Sequence, residues 1–205
     1  MVEIKPETIK KLRESKRKFA QSFDLIINVS SLDLKKPENR IRERMKLPYN
    51  IRKAKICFIV DSIFSLAKET KQKVMTKSDL DFGKKEGKSL AKTYDFFVVE
   101  APLMPIVAKS ISKYIGPRNK TLIPVPPTIK TLSSIISDLE KTVSLNLVKN
   151  PVIQIKIGGE ELSDEQIIKN FNHCFEKINS LVEKRKGIIS SVYLKLTMGK
   201  PLKVL

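Results

Sequence analysis

Two kinds of apolar patterning alternate along the chain. Over 23–29, Phe23, Leu25, Ile27 and Val29 alternate with Asp24 and Asn28. The same period recurs in Val143, Leu145 and Leu147 around Ser144 and Asn146, and in Ile153, Ile155 and Ile157 around Gln154 and Lys156. It returns in Val192, Leu194 and Leu196, set among Ser191, Tyr193 and Lys195. A period of two puts one row of side chains in a core and the other in water, which predicts antiparallel sheet. Residues 56–60 (ICFIV) and 96–99 (FFVV) are instead unbroken apolar runs, suited to strands buried on both faces of a parallel sheet. Helical stretches near 63–70, 80–93 and 105–115 separate these runs, and another at 128–140 follows Pro126 and Pro127. Strand and helix in alternation predict βαβ units.

The first pattern flanks the second, so the simplest architecture is discontinuous. Residues 1–50 and 142–205 form an α+β domain with an antiparallel sheet, and 51–141 form a Rossmann-like α/β domain inserted into it. Pro48, Tyr49 and Asn50 are turn-like at the outgoing crossing, and Thr142 marks the return. One continuous mixed domain is the alternative. Ser163 with Gln166 reads as a capping box that opens a helix. Ile167, Phe171, Cys174, Ile178 and Leu181 give that helix a core-facing stripe, and Gly187 ends it.

Composition narrows the chemistry. The 205 residues are 41% hydrophobic, ordinary for a folded protein, and carry 40 Lys+Arg against 22 Asp+Glu, a formal charge of +18. Such an excess points to a polyanionic partner, nucleic acid or an anionic membrane surface. It is spread as +6 over 1–50, +8 over 51–141 and +4 over 142–205, unlike a basic tail on a neutral body. No stretch approaches the roughly 18 apolar residues of a membrane span, and the charged N-terminus lacks a signal-peptide core. One His (His173) and two Cys (Cys57, Cys174) leave little for His-based catalysis or a zinc site. His173 and Cys174 are neighbours on one helix and point about 100° apart, so they read as a surface His beside a core Cys. Gly83 and Gly87 among lysines only faintly suggest a phosphate loop, and a lysine-rich helix start fits them better. An enzyme with a nucleotide in the α/β insert is permitted by fold type alone, but no glycine fingerprint supports it. Neither a cofactor nor a metal is called for.

The positive charge has local order. If 40–46 is extended, Arg40, Arg42, Arg44 and Lys46 share one face, about 6.6–6.8 Å apart, close to phosphate spacing along a nucleic-acid strand. A charge-guarded edge strand is the plain alternative. Lys16, Arg17 and Lys18 precede Phe19, a pairing suited to stacking beside phosphates; Phe19 could equally close the first helix as a core residue. Near the C-terminus, Thr197 offers a hydroxyl, Met198 an adaptable apolar contact and Gly199 a close backbone approach.

Several segments resemble the ribosomal protein L-one family, in its archaeal wording. They are RKFAQS at 17–22, LDLKKPENRI at 32–41, YDFFVVEAPLMP at 94–105, YIGPRNK at 114–120, SVY at 191–193 and TMG at 197–199. The resemblance covers nearly the whole chain and implies the same two-domain layout. It implies a non-enzymatic, cytoplasmic protein of the large ribosomal subunit, bound to the 23S-type rRNA stalk near the tRNA exit site. It further implies assistance in releasing deacylated tRNA, translational repression through the protein's own mRNA, and a monomer when free of the ribosome. By matching position, Lys18, Phe19, Ser22, Lys36, Arg42, Ser191, Thr197, Met198 and Gly199 are expected to contact RNA. Arg40 and Arg44 extend that set from the strand argument. Leu196 and Lys200 depart from the family pattern, removing a hydroxyl and offering a phosphate contact respectively.

Overall fold

The computed structural model describes residues 4, 6–14, 17–51, 53–81, 83–118, 120, 122–128 and 132–205. The chain divides into two compact units, Met1–Arg52 with Lys141–Leu205, and Lys53–Glu140. The first unit begins with α1 (Pro6–Arg13), β1 (Ser22–Ser30) and β2 (Ile41–Lys46). The second runs β3 (Ile56–Ile59), α2 (Phe64–Glu69), β4 (Lys73–Met75), α3 (Lys84–Thr93), β5 (Phe96–Glu100), α4 (Met104–Ile115), β6 (Leu122–Val125) and α5 (Ser133–Glu140). The first unit then resumes with β7 (Thr142–Leu147), β8 (Val152–Gly159), α6 (Asp164–Glu183), β9 (Ile188–Leu196) and β10 (Leu202–Lys203).

In the first unit β10, β9, β1 and β8 form an antiparallel sheet in that order. Leu25 faces Ile155 on one side and Leu194 on the other, and Ile27 faces Ile153 and Val192, so three strands align their apolar rows. That row packs into one core with Ile9 and Leu12 of α1 and with Ile167, Phe171, Cys174 and Ile178 of α6. Arg13 ties the two helices together. Its Nε donates to Asp164 at 2.8 Å, Nη1 to the Glu160 carbonyl at 2.8 Å, and Nη2 to the Leu162 carbonyl.

The capping box forms as expected, with Ser163 Oγ accepting from Gln166 N and Gln166 Oε1 from Ser163 N. The other end of α6 closes differently. Lys186, not Gly187, takes the left-handed conformation, at φ 59°. The Lys186 N–H bonds to Glu183 O and the Gly187 N–H to Val182 O, the paired bonds of a Schellman closure. Gly187 is small for a different reason: a Cβ there would stand 2.4 Å from Leu32 Cδ1. β2 and β7 make a separate antiparallel pair whose inner row is Ile41, Met45, Val143, Leu145 and Leu147.

The second unit is a parallel sheet in the order β4, β3, β5, β6. Cys57, Ile59, Phe97 and Val99 pack in one layer with Ala91 of α3 and Val107, Ile111 and Ile115 of α4. Ile56, Phe58 and Val98 pack in the opposite layer with Ala67 of α2 and Leu139 of α5. Both faces are covered, which is why the runs are unbroken. Two helices start later than the periodicity predicts. A 3-10 turn at Lys77–Leu80 precedes α3, whose N-cap is Gly83, so the glycine–lysine segment opens a helix. Residues 127 and 128 form a turn before α5, and 129–131 lie outside the described residues. β9 starts four residues before its alternating run. Among the described residues, no helix is long and apolar enough to cross a membrane.

Candidate nucleic-acid interface

The sheet of the first unit ends where β1 begins and β9 finishes. Phe23 pairs with Leu196 there, and the Thr197 N–H continues the ladder to Ser22 O at 3.0 Å. The side chains repeat the link. Thr197 Oγ1 accepts the Ser22 N–H at 3.1 Å and lies 2.9 Å from Ser22 Oγ, which donates to Asp24 Oδ1 at 3.1 Å. Gly199 N then bonds Leu196 O at 2.9 Å and closes the turn. Gly199 has no positive φ; a Cβ there would meet Leu196 Cβ at 3.2 Å, so the residue serves the tightness of the turn.

Gln21 holds this turn from beneath. It is buried, its Oε1 accepts the Met198 N–H at 3.1 Å, and its Nε2 donates to Glu160 Oε1 at 3.3 Å. Its backbone N–H donates to Glu160 Oε2 at 3.0 Å, and Glu160 N returns a bond to Gln21 O. Above this frame Phe19 and Met198 are 53% and 61% exposed, large apolar side chains offered to solvent. Phe19 lies beyond the end of α1 and outside the core, which removes the core alternative. Lys18 and Lys200 are exposed beside them. Lys16 and Asn119 lie outside the described residues.

The remaining predicted residues stand elsewhere. Ser191 shares the wet face of the sheet with Ser22 but lies opposite Asn28, whose amide donates to Ser191 Oγ at 2.8 Å. That is five residues from Leu196 along β9, about 17 Å. Lys36 and Arg40 lie on the chain that leaves β1 at the same far end. Arg40 precedes β2, and its guanidinium donates to Leu34 O at 3.0 Å and Lys35 O at 3.4 Å, holding its own loop. Arg42 and Arg44 do lie on the exposed row of β2, opposite Asn146 and Ser144. Although its surface is exposed, partial desolvation by the surrounding protein draws the Arg44 guanidinium below its usual pKa. The structure thus gathers Lys18, Phe19, Ser22, Thr197, Met198, Gly199 and Lys200 at one end, and sets Lys36, Arg40, Arg42, Arg44 and Ser191 apart.

Three residues that the sequence did not single out complete the frame: Gln21, Asp24 and Glu160. Gln21 sits inside the RKFAQS segment, and Asp24 reads only as a polar member of an alternation. Nothing marks Glu160. Asp24 lies on β1 between Lys195 of β9 and Lys156 of β8. Burial raises its carboxyl above the ordinary value, opposed by the Ser22 hydroxyl and the two lysines.

Among the described residues, the inserted sheet offers no competing site of the usual kind. Its strand order reverses between β3 and β5, the place where doubly wound folds hold ligands. Glu100, 2% exposed, fills that place and accepts the N–H groups of Asp61 at 2.8 Å and Ser62 at 3.0 Å. Burial alone would raise its pKa; the hydrogen bonds outweigh that and hold it below the usual value. The amides that would meet a phosphate already hold an internal anion. Burial pushes the Cys57 and Cys174 thiols up to about 12, far from a reactive thiolate. Among the described residues, no cluster of His, Cys, Asp or Glu could hold a metal ion.

A sequence model described as the ribosomal protein L1p/L10e family matches residues 9–200. The chain is 39% identical to the large ribosomal subunit protein uL1 of Pyrococcus abyssi, over 95% of this chain and 91% of that protein. It is 37% identical to the protein of the same name from Methanothermobacter thermautotrophicus, over 97% of each.

Proposed function

The chain belongs to the ribosomal protein L1p/L10e family, a family of ribosomal proteins and not of enzymes, and from that membership we propose that it is a structural rRNA-binding protein of the large subunit. Its place is the rRNA stalk near the tRNA exit site, in the cytoplasm, where it assists release of deacylated tRNA. It also binds its own mRNA and represses its translation, and it is monomeric when free of the ribosome. One observation carries the reading to named residues: a hydrogen-bonded frame of Ser22, Thr197 and Gln21 joins the two strand ends next to which Phe19 and Met198, with Lys18 and Lys200, are exposed.

The division of labour follows from chemistry. Phe19 stacks on a base or sugar, and Met198 fills an irregular apolar contact. Thr197, Ser22 and Ser191 offer hydroxyls, and Gly199 keeps the turn tight. Lys18, Lys36, Arg40, Arg42, Arg44 and Lys200 neutralise phosphates and hold the RNA without choosing it. The unit Met1–Arg52 with Lys141–Leu205 is the main RNA-binding domain, and the inserted unit adds contacts of its own.

Crosslinking the purified protein to total cellular RNA and sequencing the sites tests this. The expected result is a concentrated site in large-subunit rRNA and a second in the protein's own messenger. Crosslinks spread in proportion to RNA length would overturn it. So would saturable ATP or NAD binding that neither RNA nor salt competes.

A further inference from the structure

We propose that Asp24 is a positioning residue: it fixes the direction of the Asp24–Ser22–Thr197 hydroxyl chain, so that Thr197 meets RNA only as a hydrogen-bond acceptor. The inference deepens the RNA reading above and rests on it. Each hydroxyl carries one proton, and an ionised carboxylate only accepts. Asp24 faces Lys195 and Lys156 across the ladder; against the burial that raises its pKa, the Ser22 hydroxyl and the two lysine charges favour its carboxylate form. The Ser22 proton therefore goes to Asp24 Oδ1, 3.1 Å away, in a charge-assisted bond. Ser22 Oγ is then left to accept at its 2.9 Å contact with Thr197. The Thr197 proton goes to Ser22 Oγ, or to Ser22 O at 3.3 Å; either way it stays inside the protein.

Thr197 Oγ1 also accepts the Ser22 N–H at 3.1 Å. One lone pair remains, on an exposed residue. A phosphate oxygen has no proton to give it. The group it accepts must be a donor: a ribose 2′-hydroxyl, or an N–H on a base edge. A 2′-hydroxyl would let this position separate RNA from DNA. Were the chain reversed, with Ser22 donating to Thr197, the Thr197 proton would point outward and a phosphate would serve as well.

The test uses the large-subunit rRNA segment recovered by crosslinking, synthesised unmodified and in two single-site series. One series replaces each 2′-hydroxyl by hydrogen or fluorine; the other removes single base donors, inosine for guanosine and purine riboside for adenosine. The unaltered chain is expected to lose affinity about three- to tenfold at one position of one series, the worth of one hydrogen bond; which series responds identifies the donor. In Thr197→Val that ratio falls to near one. In Asp24→Ala, which frees the Ser22 proton to turn toward Thr197, the loss on 2′-fluorine or base-donor substitution falls at least halfway, whereas the loss on 2′-hydrogen need not, since a 2′-hydroxyl also accepts; Asp24→Asn, whose amide can present either atom, lies between. Each ratio compares two RNAs on one protein sample, so a change in folded fraction cancels. If Asp24→Ala does not fold, Asp24→Asn decides. An unchanged ratio for 2′-fluorine or base-donor substitution in the Asp24 variants, or no sensitive position in either series, overturns this inference and leaves RNA binding standing. If the unaltered chain binds no large-subunit rRNA, both readings fall together.

Discussion

The side-chain oxygen of Gln21 accepts the backbone N–H of Met198 at 3.1 Å, joining positions 177 apart in the chain. Gln21 is buried, and its amide nitrogen is engaged by Glu160. Gln21→Leu strands both partners and should lower unfolding stability by about 1–3 kcal/mol. It should also weaken binding to the stalk rRNA, because the 197–199 turn loses its support. Gln21→Glu places a second carboxylate against Glu160. Its larger loss at neutral pH should shrink as the pH falls into the carboxylate range, seen by thermal melts across pH.

Thr197→Val and Met198→Ala should lower affinity for stalk rRNA by about 1 kcal/mol each while leaving binding to a generic duplex nearly unchanged. Arg42→Ala should weaken both RNAs alike. Competition binding of the two RNAs at fixed salt measures the division. Equal losses on both RNAs for all three variants would contradict it.

Binding should weaken steeply with salt, with a negative slope of log K against log salt concentration. Arg42→Ala and Arg44→Ala should each make that slope shallower by about one. Thr197→Val should leave it unchanged, since it alters no charge. A salt titration of the three variants separates the charged contacts from the uncharged ones.

Glu100 makes the inserted unit sensitive to acid. Its folded pKa lies below the usual glutamate value, so its stabilisation is fully present above the unfolded pKa, about 4.3. That stabilisation disappears as the pH falls through the folded value. Glu100→Gln should cost about 1–3 kcal/mol at neutral pH, because two N–H groups lose a charged acceptor. The gap between the two proteins should close as the solution is acidified, which parallel denaturation curves would show.

Asn170 is fully buried inside the apolar stripe of α6. Its Nδ2 donates to Ile157 O at 2.8 Å and its Oδ1 accepts the Tyr49 N–H at 3.0 Å. Asn170→Leu extends the stripe yet strands these groups, at about 1–3 kcal/mol per group. Lower stability in urea is the expected result, against the naive hydrophobic gain.

The class of fold was legible because burial on one face or on two leaves different marks. Leu25, Ile27 and Val192 alternate with polar neighbours, whereas Phe58, Phe97 and Val98 do not. Three strands escaped. β4 and β10 are too short to show a period, and β6 carries Pro124, which an edge strand tolerates but which weakens any strand signal. Gly187 was legible as the end of α6, yet Lys186 takes the left-handed conformation there and Gly187 supplies space. Arg40 is exposed, as a surface cation should be, but that its guanidinium also holds carbonyls of its own loop was not legible in the sequence. Gln21 and Glu160 meet across 139 positions, a relation that no local pattern encodes.

The Ser22–Thr197 pair closes a span of 175 positions. β1 is made early, but both of its partners, β8 and β9, follow the inserted unit. In that unit Glu100 closes onto Asp61 across only 39 positions. During synthesis the insert can fold while β1 waits, since short loops close before long ones. An incomplete chain therefore already carries most of the basic residues but none of the paired hydroxyls. It would cling to RNA by charge alone, without selectivity, until β9 and the Thr197 turn had left the tunnel of the ribosome making it.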